Sequence, residues 1–186
     1  AAIVIAPNAT NEVGAPHTFT VTVLQDTGSG LVPVGAGLPC NVTLTAANGA
    51  NPVPAGPFNL QTNANGQCQV TFTSNTAGQV IGNASSTVTI NGVQMNVSTN
   101  GVAPNSGPAT KTFVDANIQI TPPTATNPTG TNHVLTCHIN VNDGSGGFTP
   151  APAGTVCVGS LTGPGSFVGS NQCTTVGATG DCQLTI

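Results

Sequence analysis

Val88-Thr89-Ile90-Asn91-Gly92-Val93-Gln94-Met95 decides the fold class. Apolar and polar residues alternate on both sides of Asn91-Gly92, the two-residue period of a strand with one buried face. Asn-Gly accepts the positive φ angles of a type I′ turn, whose twist suits the strands it joins. The stretch therefore predicts a β-hairpin. Working outward, Phe19, Val21 and Val23 point one way along a strand that begins near His17. Val42 and Leu44 define another, and Cys68, Val70 and Phe72 a further one; Lys111-Thr112-Phe113-Val114 follows the hairpin. Thr, Val, Asn, Gly and Pro dominate while good helix formers are scarce, so the chain reads all-β.

Composition narrows the function classes. The 186 residues carry one Lys or Arg against five Asp or Glu, a net charge of −4, and only 3% charged residues. One cation cannot displace the counterions of a nucleic acid or bind an anionic membrane surface. No apolar run is long enough to insert in a bilayer. His, Asp, Glu and Lys, the usual acid–base groups, are few, and no Gly-x-Ser-x-Gly or phosphate-binding glycine pattern occurs. An enzyme is not expected, nor catalytic residues, a metal or a cofactor. Apolar residues still make up 38% of the chain, enough to bury a core.

The sequence repeats itself. Ile3-Val4-Ile5-Ala6-Pro7 matches Ile118-Gln119-Ile120-Thr121-Pro122, and Gly14 and His17 match Gly130 and His133. Phe19-Thr20-Val21-Thr22-Val23 matches Leu135-Thr136-Cys137-His138-Ile139. Cys40 falls on Cys157, and Gly66-Gln67-Cys68-Gln69-Val70 on Gly180-Asp181-Cys182-Gln183-Leu184. A unit of about 115 residues suits one β-sandwich. The expected domains are 1–115 and 116–186, separated only by Asp115-Ala116-Asn117 and so stiffly coupled. Ile186 aligns with Phe72, so the second copy lacks the counterparts of residues 73–115. It is expected to be a fragment of a longer array or to be completed by a strand from another subunit.

Ala109-Thr110-Lys111-Thr112-Phe113-Val114-Asp115-Ala116-Asn117-Ile118, with the Pro-rich Thr121–Pro128 run, Gly130 and His133, resembles the junction in tandem bacterial immunoglobulin-like repeats. Asn63-Ala64-Asn65-Gly66-Gln67 before Cys68-Gln69-Val70-Thr71-Phe72 is similar to a hairpin of the invasin-type, or Big-type, modules. The resemblance covers essentially the whole chain. It implies tandem immunoglobulin-like β-sandwiches that build extracellular or cell-surface stalks, sheaths, filaments or adhesins, and it implies no catalytic residues.

Six Cys with no CxxC pair lack the spacing of a structural zinc site and point to disulfides, and hence to an oxidising compartment. The repeat predicts Cys40–Cys68 and Cys157–Cys182, leaving Cys137 to pair with Cys173. His17 and His133 are repeat-equivalent, which favours a structural role at a strand start. Asp26, Asp143 and Asp115 are too few carboxylates per site for calcium. Lys111 has no obvious acid beside it for an isopeptide crosslink. Asn8, Asn41, Asn83 and Asn96 begin Asn-x-Ser/Thr sequons, candidate glycosylation sites. The function expected is a structural building block of an extracellular fibre, stalk or sheath, with copies of itself or neighbouring repeats as partners. The alternative is an adhesin whose loops recognise a surface or a glycan. The absence of Trp and Tyr weakens that reading, because aromatic stacking usually supplies such contacts.

Overall fold

The computed structural model describes every residue, Ala1–Ile186, and contains strands and turns with no α-helix. No helix is available that is long and apolar enough to cross a membrane. The chain divides into two compact units: unit 1 is Ala1–Val114 with Asp143–Gly146, and unit 2 is Asp115–Asn142 with Gly147–Ile186. The boundary expected after residue 115 thus lies after Val114, and four residues of a later turn group with unit 1.

Unit 1 is formed by β1 (Ala2–Ala6), β2 (Ala9–Glu12), β3 (His17–Asp26), β4 (Leu31–Pro33), β5 (Pro39–Ala47), β6 (Pro52–Val53), β7 (Phe58–Gln61), β8 (Gln67–Ser74), β9 (Gly78–Ile90), β10 (Val93–Ser98) and the first part of β11 (Ala109–Thr121). One sheet has the order β1-β3-β8-β6, with β4 continuing on β3. The facing sheet runs β11-β9-β5-β7, with β10 also on β9 and β2 pairing β11 in parallel. In space, β1-β3-β8-β6 against β11-β9-β5 correspond to A-B-E-D against G-F-C of immunoglobulin domains, while β7, on the far side of β5, follows β6 in the chain. That is the strand order of an immunoglobulin-type sandwich.

Alternation builds this arrangement. In β3 His17, Phe19, Val21 and Val23 are buried while Thr18, Thr20 and Thr22 face outward. In β8 Cys68, Val70 and Phe72 meet them from the same sheet, and Val42, Val80, Ala84 and Phe113 close the core from the other. Phe19, Phe72 and Phe113 form a chain of ring contacts with centroids 5.2 Å and 6.2 Å apart.

The quoted hairpin is β9–β10, with Ile90 opposite Val93 and positive φ at both turn residues, 50° at Asn91 and 79° at Gly92. A residue with a plain Cβ is strained in that left-handed region. Asn91→Ala is expected to lower the stability of unit 1 by about 1 kcal/mol. Urea unfolding followed by circular dichroism measures it, and an unchanged midpoint would mean the turn does not set the hairpin.

Unit 2 contains the second part of β11, then β12 (Val134–Asn142), β13 (Thr149–Pro150), β14 (Val156–Val158), β15 (Gln172–Thr174) and β16 (Asp181–Thr185). Its pairings reproduce those of unit 1. β12 lies between β11 and β16 as β3 lies between β1 and β8, and β13 continues on β12 as β4 does on β3. β14 pairs β15 as β5 pairs β7. Residues 115–186 hold no counterpart of β9, β10 or the first part of β11. β5 is flanked by β7 and β9, whereas β14 pairs β15 alone. The core is correspondingly small: Cys137, Ile139, Ala151, Cys157, Cys182 and Leu184 are its buried members.

Candidate functional site

The cysteines are the chemistry-bearing residues that the fold gathers. In unit 1 Cys40 on β5 and Cys68 on β8 form a disulfide across the two sheets, with Cα atoms 6.4 Å apart. Two apolar residues flank it. Val21 lies opposite Cys68 on β3, and Leu60 lies opposite Cys40 on β7.

Unit 2 repeats this square with cysteine at all four corners. Cys137 on β12 lies opposite Cys182 on β16, and Cys157 on β14 lies opposite Cys173 on β15. The disulfides are Cys137–Cys157 and Cys173–Cys182, with Cα separations of 6.7 Å and 5.6 Å. This corrects the pairing expected from the repeat, Cys157–Cys182 with Cys137–Cys173. Repeat equivalence fixes where the residues stand. When each inter-sheet corner carries a sulfur, the bond formed is set by which opposite sulfur a side chain meets. The sulfurs of Cys137, Cys157 and Cys182 all lie within 4.8 Å of one another, and Cys173 is bonded to the last. Cys137, Cys157 and Cys182 are buried and Cys173 is half-buried; Cys173 and Cys182 border an open groove of about 610 Å³ with Thr136, Thr179, Asp181 and Gln183. Sequence spacing hides this cluster, because its members come from four strands and no two are close in the chain in a metal-type pattern. The signal available was the register: cysteine replaces both Val21 and the Leu60 neighbourhood in the second copy.

The remaining candidates are dispersed. His17 is buried against Phe19 and Phe72, with centroids 4.9 Å and 5.7 Å away, and its Nε2 lies 3.3 Å from the Pro7 carbonyl oxygen. Burial first, and then the Lys111 charge, hold its pKa below the usual 6.5, against the opposing pull of the Pro7 carbonyl. Lys111 shares the inward face of β11 with Ala109 and Phe113 and is fully buried. Its Nζ has no hydrogen-bond partner and sits 4.9 Å from the centroid of the Phe113 ring. Desolvation lowers its pKa from the ordinary 10.5. His133 exchanges backbone hydrogen bonds with Ile186 at the start of β12.

His138 Nδ1 lies 2.6 Å from Asp181 Oδ1, next to Cys137 and Cys182 in register but on the opposite face of the sheet. Asp26 Oδ1 accepts the N–H groups of Gly28 and Gly30, and Asp143 Oδ1 accepts both the N–H and the hydroxyl of Ser145. These bonds stabilise the ionised carboxylates and lower both pKa values. Asp115 Oδ1 accepts the N–H of Ala116. Asp26 and Asp143 are each committed to their own turn, and Asp115, in the middle of β11, to the N–H of the next residue.

Of the sequon residues, Asn8 and Asn96 are exposed and Asn41 and Asn83 half-buried. Asn8 Oδ1 accepts the Thr110 N–H at 2.7 Å, and Asn96 Oδ1 accepts the Thr87 hydroxyl at 2.9 Å. Asn41 and Asn83 share a shallow groove with Thr43, Ser85 and Ser98 on the outer face of the β5-β9-β10 sheet. The opposite outer face carries another uncharged ladder: Thr18 with Thr71, Gln69 with Thr20 and Gln67 with Thr22, at 2.7, 3.1 and 3.4 Å.

No family model matches the chain, and no curated protein matches it. Among solved structures, the D0-D1 domain of intimin is similar, with 19% identity, 99% of this chain and 82% of that one covered, and a TM-score of 0.35. The strand order of unit 1, not this likeness, defines the fold.

Proposed function

We propose that the chain is a structural building block of an extracellular fibre, stalk or sheath on a cell surface, made of immunoglobulin-like repeats and performing no catalysis. The observation that carries this reading is the edge of β14. Its counterpart β5 has a neighbour on each side, whereas β14 pairs β15 alone. Val156 and Val158 on it are 53% and 61% exposed. An unpaired edge offers a row of N–H and C=O groups that accepts a strand from outside. The partner proposed is a copy of this chain or a neighbouring repeat, supplying what β9 supplies in unit 1.

Two further features suit such an assembly. The outer sheet faces are polar without charge, so copies can pack side by side with little repulsion to screen. Disulfides hold small domains together in oxidising surroundings. The test is sedimentation and negative-stain electron microscopy of the full chain, compared with Val156→Lys/Val158→Lys, since lysine on an edge strand opposes pairing. Association that rises with concentration and is lost in the variant supports the proposal. Monomeric wild type across the whole range, or equal association of the variant, overturns it.

A further inference from the structure

We propose that unit 2, when its disulfides are reduced, is a closed tetrathiolate site for one thiophilic divalent cation of the Zn²⁺ class, held by Cys137, Cys157, Cys173 and Cys182. Tetrahedral zinc binds thiolates at about 2.3 Å, which puts the four sulfurs about 3.8 Å apart. Three of the sulfurs already lie within 4.8 Å of one another and the fourth, that of Cys173, is bonded to the sulfur of Cys182, so side-chain rotation that parts each bonded pair to about 3.8 Å completes the shell. The ligands arrive as two cross-strand pairs, Cys137 with Cys182 and Cys157 with Cys173, one from each sheet. The two pairs face each other across the core, and the bonds Cys137–Cys157 and Cys173–Cys182 show that all four side chains reach the same place. The groove lined by Cys173 and Cys182 supplies the path by which an ion enters.

The chemistry balances with a named co-reactant. A phosphine or dithiol reductant delivers two electrons to each of the two disulfides, and two protons from solvent complete each pair of thiols. The cation then displaces four thiol protons to solvent and forms four metal–sulfur bonds. Because three of the six buried core residues of unit 2 are ligands, metal binding and folding of the reduced unit are coupled.

Unit 1 is a control within the same molecule. At the equivalent corners it has Cys40 and Cys68 but Val21 and Leu60, two thiols in place of four. The full chain is reduced with phosphine without oxygen and titrated with Co²⁺. The expected result is one equivalent bound with the visible ligand-field bands of a tetrahedral thiolate complex, bleached by one equivalent of Zn²⁺. Zn²⁺ should protect Cys137, Cys157, Cys173 and Cys182 from alkylation and leave the labelling of Cys40 and Cys68 unchanged. Cys40→Ser/Cys68→Ser should keep the bands. Cys137→Val/Cys173→Leu copies the corners of unit 1, can still form Cys157–Cys182 on oxidation, and should lose the bands once reduced. Absence of the bands in the reduced wild type, their persistence in Cys137→Val/Cys173→Leu, or their dependence on Cys40 and Cys68 would overturn the proposal.

Discussion

Lys111→Met is expected to stabilise unit 1 by about 2 kcal/mol, the order of the penalty for burying a polar group without a partner. Lys111 is fully buried, its Nζ has no hydrogen-bond partner, and the ammonium sits over the Phe113 ring. A cation–π contact offsets part of the desolvation but not all of it. Met keeps a straight, flexible stem of similar length and removes the charge. Calorimetry of the full chain near neutral pH should show the unit 1 transition moved upward, and a transition that stays put or falls would mean the amine is solvated or paired.

The pH dependence of this variant is a second readout of the same substitution. The folded pKa of Lys111 lies below the unfolded value of 10.5, so between the two the unfolded chain binds more protons. Wild-type stability therefore rises with pH through the window that ends at 10.5, and Lys111→Met should lack that rise. At the acid side His17 is held below 6.5, so stability is lost as pH falls from 6.5 toward the folded value. Removing the Lys111 charge should shrink the acid loss without abolishing it, because burial is the larger cause at His17.

Much of the architecture was legible because its determinants are local. Asn91-Gly92 fixes a turn by backbone sterics alone, and the hairpin forms there with both residues at positive φ. Threonine alternating with Phe19, Val21 and Val23 specifies which face of β3 is buried, and that face is the buried one. The repeat carried the equivalence of Cys40 with Cys157 and of Cys68 with Cys182, and in both units these residues stand at matching register positions. Connectivity within the four-sulfur cluster was not legible, because it depends on side-chain rotamers among four equivalent neighbours. The burial of Lys111 lay half in view: alternation puts it on the face of Ala109 and Phe113. Residue chemistry argues the other way, since lysine is rarely buried without a partner. Register outweighs residue type here because moving Lys111 outward would turn Phe113 out of the core with it.

Reduction is expected to unfold unit 2 before unit 1, although unit 2 has two disulfides and unit 1 has one. The Cys40–Cys68 bond closes a separation of 28 residues, and losing it removes about 3.5 kcal/mol in the chain-entropy model. The core of unit 1 still contains Phe19, Phe72, Phe113 and a dozen or so aliphatic side chains when that bond is gone. In unit 2 the bonds span 20 and 9 residues and contribute about 3 kcal/mol each. Without them, Ile139, Ala151 and Leu184 are what remains of the buried core beside the free thiols. A core of that size does not offset the chain entropy of some seventy residues. Hydrogen exchange of the full chain under a phosphine reductant, with a chelator present, measures the order of loss. Protection should disappear in residues 134–142 and 181–185 while it persists in 17–26 and 67–74. Simultaneous loss in both sets would mean that sulfur, not the apolar interior, holds unit 1 together as well.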